Sequence, residues 1–157
     1  MMPVKEVMSK DVIFVRRSTK LRELLDIFKS FHIFPLVPVI EENRRLAGVV
    51  SFRNLIDAFQ SYHPDVLKLV PFLDEEEQNI FKIEISEDMG DLVVMEDIMD
   101  HEYISIMGDA SLEEAYNLMK LYLKEELPVV DRAGGLIGRI GIFDILNAAF
   151  RKKGIIK

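Results

Sequence analysis

The stretch Leu46-Ala-Gly-Val-Val-Ser-Phe-Arg-Asn54 decides the fold, because the chain contains a second version of it, Leu136-Ile-Gly-Arg-Ile-Gly-Ile-Phe-Asp144. Each version is an apolar run with a glycine, followed by a small residue and then an Asn or Asp three positions later. An amphipathic segment follows each version, so the pattern predicts a β-strand that leads directly into a helix. Backbone N–H groups and short polar side chains converge at such a junction, which is therefore the first place to expect a bound ligand.

The repetition extends well beyond this stretch and indicates an internal duplication. Val7-Met8 matches Ile98-Met99 at an offset of 91 residues (98 − 7). Pro38-Val39-Ile40-Glu41 matches Pro128-Val129-Val130-Asp131 at an offset of 90 (128 − 38). The first copy therefore has one extra residue, which we place near 34–37.

Each copy predicts a β-α-β-β-α unit in which the last two strands form an antiparallel hairpin. Ser18 and Asp109 fall in the predicted N-cap regions of the long helices. The predicted ranges are, for the two copies in turn, strands at 12–15 and 103–106, helices at 20–32 and 111–123, and strands at 36–40 and 127–130.

The chain divides into residues 1–60 as the first unit, 61–94 as an insert and 95–157 as the second unit. The insert is too apolar for a flexible linker, with Val66, Leu67, Leu69, Val70, Phe72 and Leu73 close together. We expect it to be helical and to pack outside the repeats or to contact a partner.

Composition excludes several classes of function. The net charge of −7 argues against nucleic acid and anionic membrane surfaces as partners. No apolar run is long enough to span a membrane, and the N-terminus lacks the apolar core of a signal peptide. The absence of cysteine excludes disulfides and thiol chemistry and fits a cytoplasmic location. The three histidines have no metal-ligand spacing, and no catalytic motif stands out, so we expect neither a metal site nor an enzyme.

Each unit resembles a CBS domain, and the pair resembles a tandem CBS (Bateman) module. The resemblance rests on Val7 to Val15, the long helix, the Pro-Val-Ile/Val-acid strand and the closing strand–helix junction. It implies an α/β (α+β-like) fold of two tandem β-α-β-β-α units packed with pseudo-two-fold symmetry around two clefts. It also implies a regulatory module that binds AMP, ADP, ATP or S-adenosylmethionine, forms a homodimer and controls an enzyme, channel or transporter.

The resemblance also implies which residues bind the ligand. In the family, the Asp of the closing motif binds ribose, the preceding Ser or Thr binds phosphate or ribose, and apolar residues enclose the base. The first site would then consist of Ser9, Val12, Ile13, Val37, Ser51 and Asn54, and the second of Tyr103, Ile104, Leu127, Gly141 and Asp144. The candidate basic partners of a phosphate are Arg53, Arg132 and Arg139, although strand alternation could turn Arg139 away.

Neither site has the full family pattern. The first has Asn54 in place of the acid, and the second has Gly141 in place of the hydroxyl. We therefore expect unequal clefts, with the site at Ser51 and Asn54 favoured for a phosphate-bearing ligand. Two alternatives stay open: Asn54 and Asp144 are at helix starts, where capping alone explains them, and the protein could be a structural dimerisation or interaction module with vestigial clefts.

Overall fold

The structure, a computed structural model, describes residues 2–59, 80–82 and 84–157 and contains two three-stranded sheets. In each sheet the first strand runs parallel to the middle strand, and the last strand runs antiparallel to it. The first sheet consists of β1 (Val15–Arg16), β2 (Val37–Ile40) and β3 (Leu46–Val50), and the second of β4 (Ile106–Met107), β5 (Glu126–Val130) and β6 (Leu136–Gly141).

Helices complete each unit in the predicted order, so the β-α-β-β-α fold of both copies is confirmed. In each unit one helix follows the first strand and another helix follows the last strand. The bounds are α1 (Leu21–Phe28), α2 (Phe52–Asp57), α3 (Met89–Leu92), α4 (Met95–Ile98), α5 (Leu112–Tyr122) and α6 (Ile142–Lys152), with a 3-10 turn at Val4–Glu6.

The boundaries differ from the prediction at the first strand and helix of each copy. The strands start at Val15 and Ile106, three residues later than expected. The helix N-caps are Lys20 and Ser111, not residues in the region of Ser18 and Asp109. In the second copy the cap is the Ser111 hydroxyl, which accepts the Glu114 N–H at 3.1 Å. The preceding turn delays the helix in the first copy, because Thr19 Oγ1 accepts the Arg16 N–H at 2.9 Å.

The described part of the predicted insert packs on the first unit. It includes α3, beside α1, where Arg22 Nε donates to Asp91 Oδ1 at 3.2 Å and Arg22 Nη2 donates to the Glu87 carbonyl at 2.8 Å. The predicted apolar patch at 66–73 lies outside the described residues. No helix in the described part of the chain is both long and apolar enough to cross a membrane.

Each hydrophobic core is completed by the opening segment of the other copy. Val4, from the start of the first copy, is fully buried among the side chains of the second unit. Met95 and Met99, from the start of the second copy, are buried among those of the first. Burial of these apolar side chains provides much of the free energy that holds the units together.

Backbone hydrogen bonds fix this exchange and repeat with pseudo-two-fold symmetry. Ser9 and Arg139 exchange two N–H···O bonds of 2.9 Å each. Their counterparts Val49 and Asp100 do the same at 3.1 and 2.8 Å. The hairpin turns also meet, because the Leu46 N–H donates to the Gly134 carbonyl and the Leu136 N–H to the Arg44 carbonyl, each at 3.0 Å. The predicted pseudo-two-fold packing is therefore present.

The glycine of each quoted stretch allows the exchanged segment to approach. A Cβ on Gly138 would lie 2.7 Å from both the Ser9 carbonyl oxygen and Met8 Sδ. A Cβ on Gly48 would lie 2.6 Å from the Asp100 carbonyl oxygen. Both distances are far inside van der Waals contact, and the carbonyl oxygens cannot move without breaking the backbone pairing.

We expect Gly138→Ala to lower the free energy of unfolding by about 1–3 kcal/mol through overpacking against Ser9. Urea denaturation measures the change. Gly141→Ala is the control, because its added Cβ would meet its nearest atom at 3.4 Å; it should cost no more than the ~1 kcal/mol typical of an N-cap change. Equal stability of Gly138→Ala and the unmodified protein would contradict this role of the glycine.

Candidate functional site

The first strand–helix junction, at Ser51, forms a closed capping arrangement. Asn54 Oδ1 accepts the Ser51 N–H at 2.7 Å and the Ser51 hydroxyl at 3.0 Å. The Ser51 hydroxyl also accepts the Asn54 N–H at 3.4 Å. Because an amide oxygen has two lone pairs, Asn54 Oδ1 is already fully used. Capping therefore accounts for Asn54.

The second junction, at Gly141, is only half closed. Asp144 Oδ2 accepts the Gly141 N–H at 2.8 Å. Glycine has no hydroxyl to supply a second bond, and Oδ1 accepts no hydrogen bond from any residue that the structure describes. Asp144 thus caps α6 and keeps one carboxylate oxygen available for a ligand hydroxyl.

A cavity of about 400 Å³ is lined mainly by residues of the first unit, and Arg139 of the second unit completes its lining. Its wall is largely apolar, and two aromatic side chains take part, with the Phe28 and Phe31 rings in edge-to-face contact at 5.0 Å. The lining residues are Asp11, Val12, Ile13, Phe28, Phe31, Pro35, Leu36 and Arg139. Of the predicted site residues, the structure therefore brings Val12 and Ile13 together with Arg139 of the other unit.

Arg139 reaches this cavity because of the alternation of β6. Its neighbours Gly138 and Ile140 are buried, so the Arg139 side chain emerges on the opposite face of the sheet. The register pairs Glu126 with Gly141 and Pro128 with Arg139, which puts Glu126 on the same face. Gly141, at the start of the second junction, therefore lies two residues along β6 from Arg139 and on the same face of the sheet.

Two predicted base-enclosing residues face the cores. Val37 is fully buried in the first core, and Leu127 is 1% exposed in the second. Their side chains point away from the clefts, because successive residues of a strand face opposite sides. Leu36 and Glu126, which precede them in the chain, have the opposite orientation and face away from the cores.

The remaining predicted residues are dispersed. The Ser9 hydroxyl accepts the Asp11 N–H at 3.3 Å, and Ile104 packs on the second core. The Tyr103 hydroxyl donates to the Leu46 carbonyl at 2.9 Å, so this side chain spans the contact between the units. Arg53 is exposed, with its guanidinium 5.6 Å from the Phe52 ring centroid.

Glu126 is a half-buried acid between the units. Burial raises its pKa above the usual value, and the carboxylates of Glu125 and Asp144 act in the same direction. The Leu36 N–H and the Arg139 guanidinium lower the pKa but do not offset the burial. Within the described residues, no cluster of His, Asp or Glu could hold a metal ion.

Comparison with known proteins identifies the family. A sequence model of the CBS domain matches residues 4–61 and 95–151, which together make up most of the chain. The chain belongs to the CBS domain family.

Two relatives match nearly all of this chain but differ in how much of their own length it covers. The uncharacterized protein MJ1426 of Methanocaldococcus jannaschii is 26% identical over 94% of this chain and 90% of its own length. Inosine-5′-monophosphate dehydrogenase of Aquifex aeolicus is 28% identical over 90% of this chain. This chain spans only 22% of that enzyme.

Solved CBS proteins share the fold at low identity. CBSX2, solved with AMP, has a TM-score of 0.69 and 24% identity, with 98% of this chain and 99% of the other covered. The CBS pair of MJ0100, solved with 5′-methylthioadenosine and S-adenosylmethionine, has a TM-score of 0.63, 19% identity and coverages of 97% and 98%. The cytosolic domain of the Mg²⁺ channel MgtE, solved with ATP, has a TM-score of 0.61, 23% identity and coverages of 90% and 46%.

Sequence reasoning did not assign Asp11, Leu36, Glu126 or the two phenylalanines to the candidate site. The choice of Leu36 over Val37 depends on the parity of the strand, which the run 36–40 does not fix because every residue in it is apolar. Arg139 was predicted as a candidate basic residue, and the alternation of buried and exposed residues along β6 turns its side chain toward the cavity. Nothing in the sequence pattern indicated that Phe28 and Phe31 border the cavity rather than only the core.

The raised pKa of Glu126 predicts a pH dependence of stability. Below the ordinary pKa of 4.5 the group is protonated in both the folded and the unfolded state. As pH rises above 4.5, the unfolded state loses this proton first, so stability falls until the folded group also ionises.

Glu126→Gln removes this loss. Its stability advantage over the unmodified protein should therefore grow between about pH 4 and pH 7, as measured by urea denaturation. Glu23→Gln changes an exposed carboxylate on α1 and serves as the control. An advantage that shrinks with rising pH would contradict the direction of the shift.

Proposed function

We propose that this protein is a regulatory CBS pair that binds an adenosine-containing ligand in the cavity between the two units. The observation that carries this proposal is the composition of the cavity, in which an apolar and aromatic wall from the first unit faces Arg139 of the second. Asp144 acts electrostatically on Glu126, which shares the sheet face of Arg139. A volume of 400 Å³ lies in the range of about 300–1,000 Å³ common for ligand sites.

The residues suggest a division of roles. Val12, Ile13 and Leu36 offer apolar surface for a flat base, and Phe31 offers an aromatic edge. The free oxygen of Asp144 suits a ribose hydroxyl, because a hydrogen bond to a carboxylate is stronger than one to a neutral acceptor. Arg139 suits a single anionic or polar group beyond the ribose.

This arrangement reverses the preference expected from the sequence. The Asn54 amide oxygen accepts both the Ser51 N–H and the Ser51 hydroxyl, so that junction offers a ligand hydroxyl a weaker acceptor than Asp144 does. We therefore propose the site next to Asp144. The ligands of related CBS proteins support the class, since CBSX2 was solved with AMP, MJ0100 with S-adenosylmethionine and MgtE with ATP.

Regulation would follow from the position of the ligand between the units. A ligand that contacts both units favours the relative arrangement in which both sets of contacts form, and its differential affinity for two arrangements is the signal. The regulated partner, whether an enzyme, a channel or a transporter, and the cytoplasmic location remain predictions.

Asp144→Asn tests the proposed site. Asn in this position keeps the backbone cap, as Asn54 shows, but removes the charge. We expect affinity for AMP or S-adenosylmethionine to fall about five- to tenfold in calorimetry, because a charge-assisted hydrogen bond becomes a neutral one. The matched control is Asn54→Asp, which should leave affinity unchanged. Ligand binding that responds only to Asn54→Asp would place the site in the other cleft.

A second candidate function is that of a dimerisation and interaction module, and the groove between α5 and α6 favours it. Tyr116, Ile145 and Leu146 give this groove an apolar floor, and Glu113 and Lys152 both border it. Opposite charges on one surface allow two copies to pair through a two-fold axis. The corresponding groove of the first unit is bordered by Ile80 and Ile85 of the chain's own insert, so the second unit offers the freer face.

We therefore expect a homodimer through the α5–α6 face, detectable by light scattering coupled to size-exclusion chromatography. Ala149→Arg introduces a large charged side chain at this face and should give a monomer. Ala133→Arg makes the same change in an exposed turn and should remain dimeric. A dimer that survives Ala149→Arg would contradict the α5–α6 interface.

A further inference from the structure

The charges around the cavity are unbalanced toward the negative. Among the described residues that line it, Arg139 is the one cation and Asp11 is an anion. Glu126 shares the sheet face of Arg139, and both Arg139 and Asp144 are close enough to influence its ionisation. The single guanidinium is thus already opposed by carboxylates before any ligand arrives.

The residues that correspond to this lining in the other copy include no cation. The duplication places Glu102 where the first unit has Asp11, and Glu126 where it has Leu36. The position that corresponds to Arg139 is Val49, which is 6% exposed and carries no charge. Within the described part of the chain, neither this lining nor its counterpart in the other copy supplies the several convergent cations that a chain of phosphates requires.

From this charge distribution we infer that the site selects adenosine derivatives without a polyphosphate: nucleosides, thioethers or cationic sulfonium compounds in preference to ADP and ATP. This inference rests on the proposed function and narrows its ligand class. An apolar wall binds the adenine of every member of the class equally, so discrimination depends on the group at the 5′ position. Each added phosphate brings further negative charge towards Asp11 and Glu126, whereas a sulfonium brings positive charge.

The guanidinium of Arg139 determines how many phosphates a ligand can carry before its affinity falls. Arg139 can accompany a single phosphate, so AMP would keep part of its affinity. The outer phosphates of ATP would have no cation left to pair with and would lie among carboxylates. The expected order is S-adenosylmethionine and 5′-methylthioadenosine first, then AMP, then ATP.

Calorimetry of the full chain with four compounds tests this order. The probes are 5′-methylthioadenosine, S-adenosylmethionine, AMP and ATP, at one ionic strength and with protein freed of copurified ligand. We expect 5′-methylthioadenosine to bind at least about tenfold more tightly than ATP. ATP that binds as tightly as 5′-methylthioadenosine would overturn the inference and leave the proposed function standing. Absence of binding by all four would contradict the proposed function, and the inference with it.

A double variant identifies the cause of the selectivity. Asp11→Asn with Glu126→Gln removes both carboxylates and should bring the ATP affinity at least about threefold closer to that of 5′-methylthioadenosine. Glu23→Gln with Glu42→Gln removes the same charge at exposed sites outside the cavity lining and should leave the ratio unchanged. An equal change of the ratio in both double variants would show that net charge, not the cleft, discriminates, and would overturn the inference.

Discussion

The exchange of opening segments between the two copies is the interaction on which the rest of the structure depends. Val4 completes the core of the second unit, and Met95 and Met99 complete the core of the first. A unit of about sixty residues buries too little surface to be stable by a wide margin, and removing its neighbour would also open its core. The cavity depends on the same exchange, because the backbone pairing of Ser9 with Arg139 brings the two sides of its wall together.

Duplication gives the two clefts nearly the same backbone but different side chains. The backbone pairs Ser9–Arg139 and Val49–Asp100 are equivalent, yet only one of the two β-strand positions carries a guanidinium. Leu36 and Glu126 are likewise equivalent positions, one apolar and the other acidic. The exchange depends on the buried Val4, Met95 and Met99 side chains, on the two glycines and on backbone groups, and none of these includes the diverged cleft positions. The fold can therefore stay symmetric while the chemistry of the clefts becomes asymmetric.

The sequence predicted the features that depend on local pattern and on repetition. The order of strands and helices follows from apolar periodicity, and the change of offset from 91 to 90 falls, as expected, between α1 and β2. The side of the sheet that each strand residue faces was not predicted. Val37 was predicted to face the ligand, but it is buried in the core, and its neighbour Leu36 faces the cavity. Assembly of the cavity from both units was also beyond the pattern, since it results from an exchange that periodicity does not encode. Capping and ligand binding use the same residue types, so only hydrogen-bond geometry could separate them.

That geometry changes the meaning of the departures from the family motif. The loss of the hydroxyl at Gly141 looks like the loss of a ligand contact. In the first junction, however, the hydroxyl of Ser51 is bound to Asn54 and occupies the second lone pair of its oxygen. At the second junction Asp144 Oδ2 accepts the Gly141 N–H, and Oδ1, which stands where Asn54 has its amide nitrogen, accepts no hydrogen bond from any described residue. The second junction therefore keeps an unengaged acceptor because it kept the acid, whereas the first junction uses its hydroxyl and its amide oxygen to close the helix.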